Sequence, residues 1–390
     1  MADAARPLFP DLPVTAPLPG VGDQTRHAGI LPFQAIRDLV ATGEIAADGG
    51  VGADQIQPAS LDLRLGTEAF RAPASFLPGP DATVRDKIAA FDMHRLDLAG
   101  GAVLEKGCVY IVPLMERVAL GAKLSAFANP KSSTGRLDIF VRLITDRGTA
   151  FDRVEPGYKG PLYAEIAPRT FSVLVRPGTR LNQLRLRRGA PQVSATALRK
   201  LQDQVGLVHV EPGRETIRDD MIGVTLDLQG DAATGLIGYQ ARKHTGVIDV
   251  DRRAYYDPGE YWDPIRQRPG RGIILNPDDF YILATKEAVT VPPEYAAEMV
   301  PYDTNVGEFR VHYAGFFDPG FGWGVAGEGS RAVLEVRSHE VPFLLEHGQT
   351  VGWLRFERLT APPQRLYGAG AGSSYQKQGL QLAKQFKRIG

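Results

Sequence analysis

The sequence has 390 residues, of which 43% are hydrophobic and 23% are charged, a balance typical of a globular protein rather than a disordered or membrane-embedded chain. At roughly 100 to 200 residues per domain, this length predicts two or three domains. Forty-five basic and 45 acidic residues give a net charge of zero, so no chain-wide positive field favours nucleic acid or an anionic membrane as a partner. Any site for an anionic ligand must therefore depend on a local group of basic residues.

The first 27 residues predict a flexible arm. Residues 1–25 have neither a basic start nor an uninterrupted apolar run, and several prolines interrupt them, so no signal peptide is expected. The sequence also lacks the run of about 18 apolar residues that a membrane-spanning helix needs. We therefore expect a soluble, cytoplasmic protein.

The cysteine and histidine content argues against a zinc site. Cys108 is the single cysteine, which suits a reducing compartment. Zinc-dependent nucleobase deaminases need two cysteines in a Cys-x-x-Cys pair and a further His or Cys. The seven histidines show no metal-binding spacing, so we expect no zinc and no metal held by protein side chains.

Two helices are predicted in a chain otherwise typical of antiparallel β-structure. Residues Leu31–Val40 carry an apolar stripe, with Pro32 in the first turn and Gly43 as a stop signal. Residues Ser194–Val205 begin with a capping-type serine and lie near the middle of the chain. Between and after these helices, short apolar runs alternate with Gly and Pro.

An internal repeat divides the chain. Asp54–Gly66 is echoed by Asp219–Gly230, and later matches keep the same order at offsets of about 163 to 171 residues. These matches pair Val109–Ile111 with Phe280–Ile282, Asn129–Pro130 with Val300–Pro301, Glu155–Gly157 with Asp318–Gly320, and Glu165 with Glu335. The alternative is chance similarity between two β-rich halves.

The repeat predicts five segments. They are an arm (1–27), a first β domain (28–190), a helical linker (191–215), a second β domain (216–362) and a polar, Gly-rich tail (363–390). Each β domain is predicted to end in a hairpin. In the first, Phe171–Val175 leads into a type II turn at Arg176–Thr179, and Leu181–Leu186 returns.

Three segments carry candidate chemistry. The loop Asn129–Arg136 combines two cations, three hydroxyls and backbone N–H groups that can cradle a phosphate; a solvated loop is the alternative. The strand Pro161–Ile166 places Tyr163 and Glu165 on one face; the alternative is an outward-facing glutamate with a cross-strand basic partner. The tail Tyr367–Gly379 could close over a ligand, or could be a disordered C-terminus.

Together these blocks resemble the deoxycytidine triphosphate (dCTP) deaminase family, part of the trimeric deoxyuridine triphosphatase-like (dUTPase-like) superfamily. The matching blocks are Ile56–Gly66, the basic-Ser-Ser-x-x-Arg-Leu loop Lys131–Leu137, the Thr-Ala, Pro-Gly and Glu block from Thr149 to Glu165, and the closing motif Tyr375–Gly379. The resemblance implies a mainly β fold of two tandem dUTPase-like distorted β-barrels, jelly-roll-like, with a few short helices.

The resemblance also implies a zinc-independent deamination of dCTP to dUTP and ammonia, within the synthesis of dUMP and dTTP. The superfamily's triphosphatases use an earlier aspartate, whereas its deaminases carry a Glu five residues after the block's Gly, as Glu165 follows Gly160. Glu165 is thus implied as the proton shuttle, Arg136 as the stabiliser of developing charge, and Ser132 with a carbonyl near Ala150 as the groups that position water.

The remaining site residues follow from the same resemblance. Glu155 stands where the family has Asp facing the sugar 3′-hydroxyl, and Mg²⁺ is expected to bind through the triphosphate. The implied substrate-binding residues are Lys131, Ser133, Gly135, Ala150, Glu155, Tyr163, Tyr367, Tyr375, Lys377 and Gln378. A homo-oligomer, either a trimer or a pseudo-trimeric assembly, is expected, and feedback inhibition by dTTP is left open.

This sequence departs from the family pattern at several positions. One extra residue precedes Glu155, and Ser374 replaces a lysine of the tail, leaving the triphosphate to Lys377, Lys384 or another chain. The second repeat has residues 302–305 in place of the basic-Ser-Ser element, so we expect Glu335 to lack the partners of Glu165 and the second repeat to be inactive. The alternative functions are a dUTP pyrophosphatase, a bifunctional enzyme that releases dUMP, and a non-catalytic nucleotide-binding β module.

Overall fold

The structure is a computed structural model that describes residues 27–211, 213, 215–268, 270, 272–301, 309–311, 315–324, 329–338, 340–368 and 379–388.

The first repeat, residues 28–190, is built almost entirely of short strands. They are β1 (Gly29–Ile30), β2 (Ile45–Ala47), β3 (Leu61–Leu63), β4 (Glu68–Ala72), β5 (His94–Asp97), β6 (Ala102–Leu104), β7 (Val109–Ala119), β8 (Leu124–Pro130), β9 (Ile139–Thr145), β10 (Arg153–Val154), β11 (Lys159–Pro168), β12 (Val173–Val175) and β13 (Asn182–Arg188).

The second repeat, residues 216–362, has a matching series of strands. They are β14 (Ile217–Arg218), β15 (Met221–Thr225), β16 (Leu236–Ala241), β17 (Ile248–Asp249), β18 (Trp262–Arg266), β19 (Ile273–Leu275), β20 (Phe280–Val289), β21 (Tyr295–Pro301), β22 (Phe309–Val311), β23 (Phe316–Phe317), β24 (Ser330–Ser338), β25 (Phe343–Leu345) and β26 (Thr350–Arg358).

Both predicted helices are confirmed. They are α1 (Phe33–Ala41) and α4 (Ala195–Val205), the latter capped by the side chain of Ser194. The sequence analysis missed α2 (Val84–Ala90), α3 (Ser132–Gly135) and α5 (Pro258–Tyr261). None of the helices in the described ranges is long and apolar enough to cross a bilayer.

The sheets of the two repeats have the same strand order. In the first repeat, the order β5-β4-β7-β11-β9 corresponds to β18-β16-β20-β24-β22 in the second. The path β13-β8-β10 corresponds to β26-β21-β23, and the ribbon β6-β12 corresponds to β19-β25. Nearly all pairings are antiparallel, and the predicted mainly β fold is confirmed.

The predicted terminal hairpin is wrong in both repeats. In the first repeat, β12 pairs with β6 and β17, whereas β13 pairs with β1, β3 and β8. The turn itself forms: the N–H of Thr179 donates to the carbonyl of Arg176 at 3.1 Å, and Gly178 has a φ of 87°. A type II turn requires such a φ at its third residue. The turn therefore passes the chain from one sheet to another.

The two repeats share a core. Strand β17 of the second repeat pairs in parallel with β12 of the first, through Val173 and Ile248. The first repeat's apolar core includes Trp262 and Phe280 from the second repeat and Phe386 from the tail. Because these side chains are removed from water only when the repeats are together, their burial holds the repeats in one arrangement.

Candidate active site

The basic loop (Lys131–Arg136) leaves β8, forms α3 and enters β9. The backbone N–H of Lys131 donates to the carbonyl of Leu181 at 2.9 Å, and its ammonium forms an ion pair with the buried Asp62. Residues 133–136 are buried, whereas Ser132 is exposed. The loop is therefore a fixed turn anchored to the first repeat, and not the solvated loop considered as its alternative.

The Arg136 guanidinium lies at the boundary between the repeats. Its Nη1 donates to the carbonyl of Gln381 in the tail at 2.9 Å, and its Nε lies 3.8 Å from Oε1 of Glu335. The side chains of Arg136 and Glu335 are only 3% and 7% exposed. Within this chain, Arg136 therefore lies against Glu335, the glutamate of the second repeat that corresponds to Glu165.

Glu335 lies at the centre of strand β24, opposite Ile282 of β20. Burial raises the pKa of this carboxyl from 4.5 to about 7, although the nearby Arg136 charge acts in the opposite direction. A carboxyl with this pKa exchanges protons readily at neutral pH, as a proton shuttle must. Although the second repeat has no basic-Ser-Ser element of its own, the first repeat supplies a cation to Glu335.

The second repeat's Asp-Pro-Gly turn faces the same boundary. Oδ1 of Asp318 accepts from the guanidinium of Arg185, a fully buried residue of the first repeat, at 3.2 Å. Burial raises the pKa of Asp318, while the charges of Arg185 and Lys131 lower it. The tail also reaches this turn, since the N–H of Tyr367 donates to the carbonyl of Pro319 at 2.8 Å.

Glu165 has a different environment. It lies on β11 directly opposite Arg142 of β9, whose Nε and Nη2 both donate to its Oε1, at 3.1 and 2.6 Å. The Arg142 guanidinium also stacks 3.5 Å from the ring centroid of Phe151. Glu165 is 1% exposed, so the alternative of a cross-strand basic partner is confirmed, but the side chain does not face outward.

The other site residues predicted in the first repeat lie on elements other than the basic loop. Tyr163 is buried against Val84 and Ile88 of α2, where burial raises the pKa of its phenol. Ala150 lies in the bend between β9 and β10, and Glu155 is exposed in the turn before β11. In the described part of the chain, no hydrogen bond of Glu155 reaches the basic loop. The predicted contact of Glu155 with the sugar stays a prediction.

Part of the predicted site lies outside the described residues. These residues are Tyr375, Lys377 and Gln378 of the tail, together with the segment 302–305. The tail is described again from residue 379 onward, where Leu382, Ala383 and Phe386 are buried.

Sequence reasoning missed the pairing across the repeats. Glu335 and Asp318 both matched family positions in the sequence, and Asp318 matches the family's Asp-Pro-Gly where Glu155 does not. That difference is the available signal, but the sequence predicts a site that combines the first repeat with the tail and takes no catalytic group from the second repeat. Among the described residues, no group of three or more His, Cys, Asp or Glu could hold a metal ion.

Both repeats match models of known protein domains. The family model described as 2'-deoxycytidine 5'-triphosphate deaminase N-terminal domain matches residues 27–190, and the C-terminal domain model matches residues 194–386. A crystal structure of 2'-deoxycytidine 5'-triphosphate deaminase from Agrobacterium tumefaciens has a TM-score of 0.84 and 55% identity. The match covers 89% of this chain and 100% of the Agrobacterium tumefaciens chain.

Shorter relatives are also similar. A "dCTP deaminase, dUMP-forming" from Beutenbergia cavernae is 32% identical over 139 residues, which are 34% of this chain and 69% of that protein. A "dCTP deaminase" from Natronomonas pharaonis is 34% identical over 122 residues, 30% of this chain and 59% of that protein.

Proposed function

The chain belongs to the 2'-deoxycytidine 5'-triphosphate deaminase family, and we propose that it hydrolyses dCTP to dUTP and ammonia at a site shared by its two repeats. The pairing of Arg136 with Glu335 carries this proposal. The first repeat supplies the basic loop, the second supplies Glu335 and Asp318, and the tail closes the boundary between them.

Glu335 is the proposed proton shuttle. Its ionised carboxylate takes a proton from water as the oxygen attacks C4 of cytosine, and delivers that proton to N3. The remaining hydroxyl proton then passes through Glu335 to the amino group, which leaves as ammonia. A carboxyl whose pKa is about 7 both accepts and returns these protons near neutral pH.

Neighbouring groups take supporting roles. The Arg136 cation stabilises negative charge that develops on the tetrahedral centre. Ser132, exposed at the start of α3, is the proposed group that holds the water. Asp318, rather than Glu155, takes the position of the sugar contact, because it lies on the second repeat's Asp-Pro-Gly turn beside the basic loop.

Paired variants test the assignment. We expect Glu335→Gln to lower kcat by about 10²- to 10⁴-fold, the usual contribution of a general acid–base residue. Glu165→Gln is the matched control, because it removes the corresponding glutamate of the other repeat, and we expect its kcat to stay close to that of the wild type. Ammonia release from dCTP is the measurement; the opposite ranking of the two variants would overturn the assignment to Glu335.

The nucleotide product separates the remaining alternatives. Seven similar proteins are named as dUMP-forming enzymes, so the products of dCTP should be resolved chromatographically. Accumulation of dUTP supports the deaminase, dUMP with pyrophosphate supports the bifunctional enzyme, and hydrolysis of dUTP alone supports a pyrophosphatase. Nucleotide binding without any turnover supports a non-catalytic module.

Magnesium is proposed to enter with the triphosphate. The groups at the basic loop are chiefly cations and hydroxyls, which fit a metal carried on phosphate oxygens better than one bound by protein carboxylates. When bound, magnesium would offset part of the triphosphate charge. Assembly into a homo-oligomer and inhibition by dTTP stay predictions of the family resemblance; sedimentation and assays with added dTTP measure them.

A further inference from the structure

The ribbon β19-β25 of the second repeat exposes a group of apolar side chains. Ile274 of β19 and Leu344 of β25 are 60% and 54% exposed, and they lie directly opposite each other in the ribbon. Val341, just before β25, is 51% exposed. Leu345, in contrast, is buried in the core of the second repeat. The ribbon therefore packs one face on its own domain and presents an apolar face to solvent, a feature typical of interaction surfaces.

One edge of this ribbon also lacks a strand partner. Within the described residues, β25 pairs with β19 alone. The free edge of a strand presents backbone N–H and C=O groups that can pair with a further strand. Recognition by strand addition uses such an edge for hydrogen bonding and the neighbouring side chains for packing, and this ribbon offers both.

The corresponding ribbon of the first repeat, β6-β12, already has a third strand. Strand β17 of the second repeat adds to β12 in parallel. The N–H groups of Ile248 and Val250 donate to the carbonyls of Ser172 and Leu174, at 3.0 and 3.2 Å. This kind of ribbon edge is therefore an interface between repeats within the chain.

Leu344 occupies the position in β25 that Leu174 has in β12. Each lies four residues before the glycine of the following turn, Gly178 with a φ of 87° or Gly348 with a φ of 78°. Each also pairs with the middle residue of the neighbouring strand. Because the Leu174 carbonyl accepts from β17, it points away from β6. We expect the Leu344 backbone to face the open edge in the same way.

A second chain cannot complete β25 as β17 completes β12. Strand β17 lies in the segment between β16 and β18, whereas the corresponding segment of the first repeat, residues 73–93 between β4 and β5, forms α2 and contains no strand. Helix α2 is held on its own repeat, where Val84 and Ile88 pack with Ile111 and Tyr163. The first repeat of a neighbouring chain thus has no strand to offer, and the β17 of that chain is already paired with its own β12.

We propose that β25 pairs antiparallel with β25 of a second copy of this chain, across a twofold axis at Leu344. Such an interface is isologous, so the same surface of each copy meets itself and the assembly closes. A pairing centred on Leu344 places Glu346 opposite Pro342, and not opposite another carboxylate. Pro342 has no N–H to donate, so the added pairing ends there and stays short.

Sedimentation analysis of the full chain tests this pairing. Leu344→Lys places two positive charges against each other at the twofold axis, so we expect it to halve the mass of the wild-type assembly. Ile274→Lys should act in the same direction. Val103→Lys is the matched control, because Val103 corresponds to Ile274, is 39% exposed and lies on the ribbon whose edge β17 already fills. A monomeric wild type, or an assembly whose mass does not respond to Leu344→Lys, would refute the proposal.

Cross-linking keeps the proposal testable if Leu344→Lys disturbs folding. Cys108→Ser removes the single native thiol, and Leu344→Cys is then introduced into that chain. Residues opposite each other in a hydrogen-bonded antiparallel pair have Cα atoms about 5.5 Å apart, so a short bismaleimide should link these chains as dimers. Val103→Cys in the same background should stay unlinked. Equal linking of both variants, or no linking of Leu344→Cys, would refute the proposal.

Other occupants of this surface give different results. If a segment of the same chain covers it, Leu344→Cys will be protected from a monofunctional maleimide and will form no dimers. If a different protein binds there, Leu344→Cys in the purified chain will react with that maleimide and again form no dimers. Either result would refute pairing between copies.

The pairing and the proposed function are measured separately. The proposed site lies within one chain, so Leu344→Lys should release ammonia from dCTP at the wild-type rate per chain. An assembly of halved mass in a chain that never releases ammonia would retain the pairing and refute the deaminase. Normal ammonia release with an unchanged mass would do the reverse.

Discussion

Glu165 and Glu335 occupy corresponding positions of two repeats, but their cations come from different places. Glu165 is held by Arg142, a direct cross-strand neighbour that donates twice to one carboxylate oxygen. Glu335 faces Arg136, which reaches it from the other repeat at 3.8 Å. The two hydrogen bonds from Arg142 fix the Glu165 carboxylate in place, whereas the longer contact with Arg136 allows the Glu335 carboxyl to exchange protons. This difference in packing is the structural basis for proposing different roles for the two glutamates.

The raised pKa of Glu335 predicts the pH dependence of the reaction. The shuttle must be ionised to accept a proton from water, and burial raises the pKa of this carboxyl to about 7. We therefore expect kcat/KM for dCTP to fall as the pH is lowered through about 7, and to level off above it. A pH profile of ammonia release measures this; a rate that stays constant down to pH 5 would contradict it.

Arg136 variants test the origin of this pKa. The Arg136 charge lowers the pKa of Glu335. Arg136→Met should therefore slow the reaction and move the acidic limb of the kcat/KM profile to higher pH. Arg136→Lys should move the limb less, because it keeps a positive charge. Asp152→Asn is a matched control: burial raises the pKa of Asp152 to about 7 as well, but Asp152 lies beside Arg142, so the limb should not shift.

At the scale of the element, the tail from residue 379 acts as a strap across the two repeats. Phe386 packs against Tyr261 and Trp262 of the second repeat, with ring centroids 5.4 and 5.9 Å apart. Gln385 donates through Nε2 to the carbonyl of Val250 at 2.7 Å. These contacts place Gln381 and Lys384 beside the basic loop, so the position of the strap is coupled to the site.

Removing the Phe386 ring should destabilise the chain. Phe386 is 4% exposed, and Phe→Ala changes in such cores cost about 3 to 5 kcal/mol. We expect a lower urea midpoint with little change in m for Phe386→Ala, and a raised KM for dCTP because the strap loosens. Lys387→Ala, at the next and exposed position, should leave both quantities unchanged. A Phe386→Ala protein of normal stability would show that the strap does not contribute to the core.

Sequence patterns predict the elements better than their partners. The Pro32 start, the Ser194 cap and the turn around Gly178 depend on local backbone preferences, and all three form. The partner of β13 depends on which sheet the chain enters after the turn, and this cannot be found from the turn alone. Helix α2 had a readable signal, a capping box between Thr83 and Asp86, that was overlooked.

The same distinction applies to the site. The basic loop and both glutamates are visible as motifs. The alternation along β11 correctly places Glu165 on the face opposite Leu162, Ala164 and Ile166, although both faces are buried. The contact of Arg136 with Glu335 depends on how one repeat packs on the other, which no local pattern contains. The internal repeat indicates two corresponding glutamates, Glu165 and Glu335, but only the packing of the repeats shows which of them faces Arg136 of the basic loop.

At the scale of the whole molecule, charge pairs join the repeats around the proposed site. Oδ2 of Asp138 in the first repeat accepts from Nε and Nη2 of Arg337, two residues beyond Glu335, at 3.0 and 2.5 Å. Arg185 and Asp318 form a second buried pair across the same boundary. Buried pairs of this kind are costly to break one partner at a time, so they specify the relative position of the repeats and thereby the Arg136–Glu335 contact.

Mixing two inactive variants tests whether the site is formed within a single chain. In the structure, Arg136 and Glu335 of one site belong to the same chain. Chains carrying Arg136→Met and chains carrying Glu335→Gln, coexpressed so that mixed oligomers form, should therefore remain as inactive as either variant alone. If sites were instead built between chains, each mixed assembly would contain a boundary with both native residues, and ammonia release would recover. Coexpression of the wild type with the double variant is the control: an intrachain site keeps activity in proportion to the wild-type chains, whereas a site built between chains of freely mixed oligomers loses more activity than that proportion. Recovery in the first mixture would thus overturn the intrachain site, since the linked repeats place both native residues together only when both are encoded in one chain.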